Sequence, residues 1–380
     1  MKKFLFFLPL LVFSNSGFAQ KVDTLVDVGG YKLHFVIMQG KGTPILFEAG
    51  GGDDAGIWSD LLTPVFNITG TTLITYDRTG FGKSTLDSNK HGLLNGVTGL
   101  ETALHKLGYN KNIMLVSHSQ GAFYTTVYAY RHPDKVKTAV LIDASTGCWF
   151  NEKRLAALQQ SNDIDKEKFK DTKPGLYYQF TDLTSNVAVI NKMSFPLNIP
   201  VIDVVSGNPP FNDSVETSDW RQCHKDFVSG SSYRTGITAY GCGHYIFFDN
   251  PSLIVNAIVK AYSSTLPDNN QKNMVLTKAI DFATNAANDL KKTETQYRHS
   301  ENDLNSWGYQ LLQRGEMEKA LGVFKLNVLL NPQSWNVYDS YAEVLLKNGQ
   351  KDEAIKMYKK SVELNPDNQN GKKMLEELTK

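Results

Sequence analysis

The sequence predicts an α/β domain on a largely parallel sheet, followed by an all-helical region. Three observations carry that prediction in its 380 residues. Short apolar runs alternate with helical stretches from residue 22 to about 261, a polar, turn-rich break stands at 267–271, and residue types beyond it recur every 34 positions. Strands alternating with helices are the pattern of a mostly parallel sheet covered on both faces. A fixed period of 34 without strand candidates is the pattern of stacked helical units. Hydrophobic content of 41% and charged content of 21% suit a globular chain with a sizeable core.

The first nineteen residues stand apart. Lys2-Lys3, an apolar run over 4–13 and a polar stretch closing on Gly17-Phe18-Ala19 predict a secretory signal cleaved after Ala19. Its apolar run is too short for a permanent membrane anchor. Export to the periplasm or medium is therefore expected. Two runs at 22–28 and 31–38, hinged at Gly29-Gly30, predict an opening hairpin. Six further strands are expected at 44–47, 71–76, 112–116, 138–142, 201–205 and 235–240. The stretch 143–200, rich in charged and aromatic residues, is too long for one structureless loop, and a small helical cap over about 146–198 is expected.

After the break, Trp307 aligns with Tyr341, Gly308 with Ala342, Leu311 with Leu345, Gly315 with Gly349, Ala320 with Ala354, Phe324 with Tyr358, and Asn331-Pro332 with Asn365-Pro366. Period and residue types resemble the tetratricopeptide repeat, which implies paired helices over about 303–368 and a capping helix at 372–378. Two repeats are few for independent stability, so a helix at 273–292 is expected to complete the stack or dock it. The expected divisions are a signal at 1–19, an α/β domain at 20–265, a linker and connecting helix at 266–302, and repeats at 303–380.

Ser117-His118-Ser119-Gln120-Gly121 lies between the apolar run 113–116 and a helical stretch that ends at His132-Pro133. A serine flanked two positions away by small residues, at a strand-to-helix turn, is the nucleophile elbow. The turn lifts Oγ clear of the sheet and aims unpaired helix N–H groups at it. Ser117 stands where glycine is more common.

With this elbow, residues 22–265 resemble the α/β-hydrolase superfamily in its serine-nucleophile branch. The resemblance implies an α/β-hydrolase fold with an eight-stranded sheet. Phe47-Glu48-Ala49-Gly50-Gly51-Gly52 falls where the family places its oxyanion loop. Gly51 and Gln120 are thereby implied as the two N–H donors, worth about 3–4 kcal/mol each to the transition state. Tyr76-Asp77-Arg78-Thr79-Gly80-Phe81-Gly82-Lys83-Ser84 resembles the family's Asp-x-Arg-Gly stretch, with Asp77 and Arg78 pairing or satisfying backbone groups. A phosphate loop is excluded, because Asp77 stands where that motif needs glycine.

The base must come late in the chain. Gly241-Cys242-Gly243-His244-Tyr245 provides His244 on a glycine-rich loop after the last strand, a context none of the other seven histidines shares. His118 is expected to pack or hydrogen-bond, and His224 to be solvated on a polar helix. The acid has two candidates. Asp143 follows the sixth strand and Asp213 lies beyond the seventh; Asp143 is favoured because it sits at a rigid strand end.

The constellation implies acyl transfer through Ser119, His244 and an aspartate on a carboxylic ester or an amide, with a proline-releasing aminopeptidase on the same scaffold as the alternative. A serine nucleophile argues against the branches that open epoxides or displace halide through an aspartate. Trp149, Phe150, Tyr177 and Tyr178 either line an acyl pocket or form the cap's own core. No metal or organic cofactor is implied. The non-enzymatic alternative is an inert scaffold whose repeats bind a protein or peptide. Losing Lys2 and Lys3 takes the formal charge from +1 to about −1, which gives no electrostatic case for nucleic acid or anionic membrane. Cys148, Cys223 and Cys242 allow at most one disulfide, and free thiols are preferred.

Overall fold

The computed structural model describes residues 20–294 apart from 212, and residues 301–379. The expected signal at 1–19 lies outside the described residues, as does the 295–300 part of the expected linker. Two compact units divide between Ala286 and Ala287.

The first unit holds one sheet of eight strands: β1 (Lys21–Asp27), β2 (Lys32–Met38), β3 (Ile45–Glu48), β4 (Leu73–Asp77), β5 (Ile113–His118), β6 (Val136–Ile142), β7 (Val201–Ser206) and β8 (Arg234–Ala239). Their spatial order is β1-β2-β4-β3-β5-β6-β7-β8. β1 and β2 pair antiparallel, as do β2 and β4, and every other pairing is parallel. The β1–β2 turn runs through Gly29 and Gly30, both at positive φ, which their missing Cβ permits.

Helices cover both faces. Alternation along β5 shows the division: Ile113 and Leu115 enter one core, Met114 and Val116 the other. In chain order the helices of this unit are α1 (Ser59–Thr69), α2 (Leu93–Leu107), α3 (Gly121–Arg131), α4 (Glu152–Asp165), α5 (Pro174–Thr181), α6 (Leu183–Ile190), α7 (Ser214–Ser229), α8 (Ile246–Asp249), α9 (Pro251–Ser263) and α10 (Asn269–Glu294). α2 and α3 pack on the first face, α1 and α9 on the second. α4, α5 and α6, with two short 3-10 turns, form the small cap inserted between β6 and β7. The helix expected within 266–302 is α10. Val275 and Ala279 of α10 are buried in the second core beside α9, so its first half belongs to the α/β unit.

Strand order is what creates the site. The chain leaves β3 toward β4 on one side, while β5 lies on the other, and Glu48 at the end of β3 pairs in register with Ser117. Loops following two neighbouring parallel strands that part in opposite directions leave a crevice at their C-terminal ends.

The second unit contains α11 (Glu301–Gln313), α12 (Met317–Leu330), α13 (Trp335–Lys347), α14 (Lys351–Leu364) and α15 (Gln369–Thr379). The 34-residue period is visible in its packing. Ala320 and Ala354 are buried, as are Phe324 and Tyr358, and Gly315 and Gly349 both take positive φ between helices. A Cβ on Gly308 would lie 2.6 Å from the Phe324 ring, which explains the small residue there. The period also governs polar contacts. Asn327 donates to the Glu301 carbonyl and Ser361 to the Trp335 carbonyl, the same bond one repeat later.

Candidate active site

β5 ends at His118, and Ser119 sits at φ +50°, a left-handed conformation that a non-glycine residue rarely adopts. The turn is held on both sides: the Ser119 amide donates to the Ile142 carbonyl, and its own carbonyl accepts from Ala122 and Ser145. Gly121 must be small, since a Cβ there would lie 2.4 Å from the Ala49 carbonyl oxygen. Ser117, in the place where glycine is usual, is fully buried and its hydroxyl accepts from Thr125 at 3.1 Å.

The late histidine reaches this serine. Ser119 Oγ and His244 Nε2 are 2.9 Å apart, and His244 Nδ1 lies 2.7 Å from Asp143 Oδ2. Asp143, at φ +42° just past β6, is wholly buried. Burial pushes its carboxyl up, but hydrogen bonds from His244 and Ser206 outweigh that and hold it below the usual aspartate value. An ionised carboxylate can only accept. His244 therefore carries its proton on Nδ1 and turns the Nε2 lone pair toward the Ser119 hydroxyl. Asp213 is elsewhere occupied: its carboxylate caps α7, accepting from the amides of Val215 and Glu216 at 2.7 and 2.9 Å. Between the two sequence candidates, only Asp143 contacts the histidine.

Gly51 and Gln120 stand together, as a Cβ on Gly51 would meet the Gln120 side chain at 2.7 Å. Neither backbone amide has an acceptor among the described residues. Arg78 holds the loop from below. Its guanidinium donates to the carbonyls of Ala49 and Gly50 and, at 2.8 Å, to Glu48, which also accepts from Tyr76. All three side chains are buried. Burial pushes the Glu48 carboxyl up against the opposing pull of Arg78. Asp77 and Arg78 thus do not pair with each other: Asp77 instead accepts from the amides of Ala55 and Lys83 and contacts His34 at 2.8 Å.

Other expectations change. His224 is buried rather than solvated, 2.7 Å from Asp203, because Trp220, Cys223 and His224 share the inward stripe of α7. Cys148 and Cys223 are joined as a disulfide instead of remaining free; the cap's first turn and α7 bring them together, and Cys242 alone is a buried free thiol. Trp149 and Phe150 belong to packed clusters. Trp149 stacks on Phe211 at 4.7 Å and meets Trp220 edge-on, while Phe150 packs against Phe123. Tyr177 and Tyr178 contact each other, and Tyr178 stacks on His91. None of the four has a hydrogen bond or ring contact with Ser119 or His244 among the described residues.

Three further residues join the site. His118 donates from Nε2 to the His244 carbonyl at 3.1 Å, bracing the loop that carries His244. Burial, and then the neighbouring His244, push its imidazole down to about 3, so it stays neutral. Trp220 donates to Asp143. Gln179 of the cap reaches the loop after β3, accepting from the Gly52 amide. The adjacency of His118 to the elbow is visible in the sequence; no sequence pattern marks Trp220 or Gln179. Among the described residues, no cluster of three or more His, Cys, Asp or Glu side chains could hold a metal ion.

Comparison with known proteins agrees with this architecture. Residues 43–275 match the alpha/beta hydrolase fold family, and residues 335–368 match the tetratricopeptide repeat. An uncharacterized Bacillus subtilis protein, YqjL, is 26% identical over 218 residues, covering 57% of this chain and 82% of its own. A (lyso)-N-acylphosphatidylethanolamine lipase from Bos taurus is 34% identical over 105 residues, 27% of this chain and only 30% of the lipase. An epoxide hydrolase mutant structure from Vigna radiata superposes with a TM-score of 0.50 at 15% identity, over 63% of this chain and 98% of the other, which bears on the fold alone.

Proposed function

The chain belongs to the alpha/beta hydrolase fold family, and on that premise we propose that it is an exported serine hydrolase cleaving a carboxylic ester or amide through an acyl-enzyme. Ser119 Oγ attacks the acyl carbon while its proton passes to His244 Nε2, and the new C–O bond leaves negative charge on the former carbonyl oxygen. The amides of Gly51 and Gln120 stabilise that oxyanion. Collapse expels the leaving group, which takes the proton from His244. Water then repeats the sequence on the acyl-serine, delivering its proton to His244, which passes it to Ser119 Oγ as the acid is released. Asp143 keeps the imidazole in the required tautomer throughout.

The observation that carries this reading is the unbroken chain of contacts from Ser119 Oγ through His244 to buried Asp143, at 2.9 and 2.7 Å. The partial likeness to a (lyso)-N-acylphosphatidylethanolamine lipase is in keeping with it. The test is covalent: a fluorophosphonate should label the protein on Ser119, located by mass spectrometry, and Ser119→Ala should abolish labelling. No labelling, or labelling that survives the substitution, would sink the proposal. A panel of acyl esters and prolyl amides then separates ester from amide preference.

Export rests on the residue pattern at 1–19, and the Cys148–Cys223 bond supports it because such bonds persist in oxidising compartments. Partner binding by the repeats is a further part of the proposal, supported by the match to the tetratricopeptide repeat. Capture of the same protein by the full chain, but not by a chain ending at residue 300, would be the expected result.

A further inference from the structure

The two donors implied for the oxyanion lie on separate segments, Gly51 on the loop after β3 and Gln120 at the elbow after β5. A side chain from neither segment joins them. Gln179 of cap helix α5 accepts from the Gly52 amide through Oε1 at 3.1 Å, while its Nε2 donates to the Gln120 side-chain oxygen. The orientation follows from chemistry. A backbone amide can only donate, so the carbonyl end of Gln179 must face Gly52 and its NH2 end must face Gln120. The carboxamide lies directly over the loop, since a Cβ on Gly51 would approach its Nε2 to 2.6 Å. α5 is itself held in place nearby, where the Gly175 amide donates to the Gly80 carbonyl.

Resting on the serine-hydrolase reading above, we infer that Gln179 is a positioning residue. By bridging Gly52 to Gln120 it fixes the spacing of the two oxyanion amides, so the cap must be seated for the hole to be complete. Arg78 anchors the same loop through the Ala49 and Gly50 carbonyls, but that anchor lies wholly within the sheet domain and does not reach Gln120's side chain. The Gln179 bridge makes the hole's geometry depend on the cap. Its contribution belongs to the transition state, because a carbonyl oxygen gains most of its charge after attack.

The experiment uses the full chain and an ester that the wild type hydrolyses. Gln179→Met keeps the length of the side chain but removes both polar atoms, and Gln120→Met breaks the bridge from the other end while leaving the Gln120 amide in place. Each should lower kcat by about 10- to 100-fold with KM changed less than about twofold, and slow phosphonylation of Ser119 in parallel. Combined, they should cost no more than either alone, because both remove one bridge. Unchanged kcat, a loss confined to KM, or losses that multiply would overturn the inference. If Gln179→Met fails to fold, Gln120→Met alone decides through the same split. Failure of wild-type labelling would overturn the hydrolase reading instead, so the two are distinguishable.

Discussion

Trp220 donates its indole N–H to Asp143 Oδ1 at 3.1 Å, so the proposed triad acid is held from α7 as well as by Ser206 and His244. This gives Asp143 a partner that packs and bonds at once, since the same indole fills the cluster of Trp149, Val205 and Cys223. Trp220→Phe keeps most of the ring and removes the donor. A hydrogen bond to a buried charge is worth about 1.5–3 kcal/mol, so a 10- to 100-fold fall in kcat/KM is expected. Steady-state kinetics at unchanged fold, checked by circular dichroism, would detect it.

Asp143 and Asp213 separate cleanly by substitution. Asp143→Asn should lower kcat by about 10⁴, because the histidine loses its required tautomer. Asp213→Asn should leave activity intact, since asparagine also caps a helix, whereas Asp213→Ala should cost about 1 kcal/mol of stability and no activity. Asp143 also has a sign that can be read in acid. Its folded value lies below its ordinary 3.8, so its contribution is present above that value and lost as pH falls through the folded one. Acid unfolding of Asp143→Asn should therefore lack that component.

His118 makes the opposite residue type behave in the same direction. With its folded value near 3 against an ordinary 6.5, the unfolded chain binds the extra proton first. Stability from this group is complete above about pH 6.5 and falls as pH drops toward 3, by several kcal/mol in all. Urea midpoints measured from pH 7 to 4 should decline, and His118→Gln, which can still donate to the His244 carbonyl, should flatten that decline. An imidazole resonance of His118 that titrates near 6.5 would refute the assignment.

Cys148 and Cys223 close a loop of 75 residues between the cap's entry and α7. The chain-entropy argument gives about 4 kcal/mol for a loop of that length. Thermal unfolding under reducing conditions should fall by several degrees. Cys148→Ser and Cys223→Ser should lower Tm alike, with no further loss when combined, and neither should respond to reductant.

Much of this was legible before any coordinates because its causes are local. Apolar runs bounded by glycine and proline place the strands, Ser117 and Gly121 are the small residues that the turn at Ser119 demands, and a period of 34 places Ala320, Phe324, Ala354 and Tyr358 inside. The residues that escaped sequence reasoning depend on distant contacts. Trp220 is 77 positions from Asp143 and Gln179 is 59 from Gln120. A lone polar or aromatic residue on an amphipathic helix carries no mark of what it will face. His224 misled for the same reason: its helix is polar overall, but its inward stripe meets Asp203. The Cys148–Cys223 pairing likewise depends on where the cap enters, which spacing does not define.

Arg78 and Glu48 form a buried ion pair beneath the loop after β3, at 2.8 Å and with both side chains almost wholly out of solvent. Such a pair is costly to break from one side, because the remaining charge stays buried without a partner, about 3–5 kcal/mol. Arg78→Met should therefore destabilise strongly, and it should also free the Ala49 and Gly50 carbonyls that guanidinium holds. Glu48→Gln removes the other charge but keeps an acceptor for Arg78 and Tyr76. Combining the two should restore part of the stability lost by Arg78→Met, since no uncompensated charge is left. Activity should not return with it, because the loop carbonyls still lack their donor. A double-mutant cycle read by urea unfolding and by kcat separates these effects: recovery of stability without recovery of kcat is the expected result, and recovery of both would show that Arg78 serves the core alone.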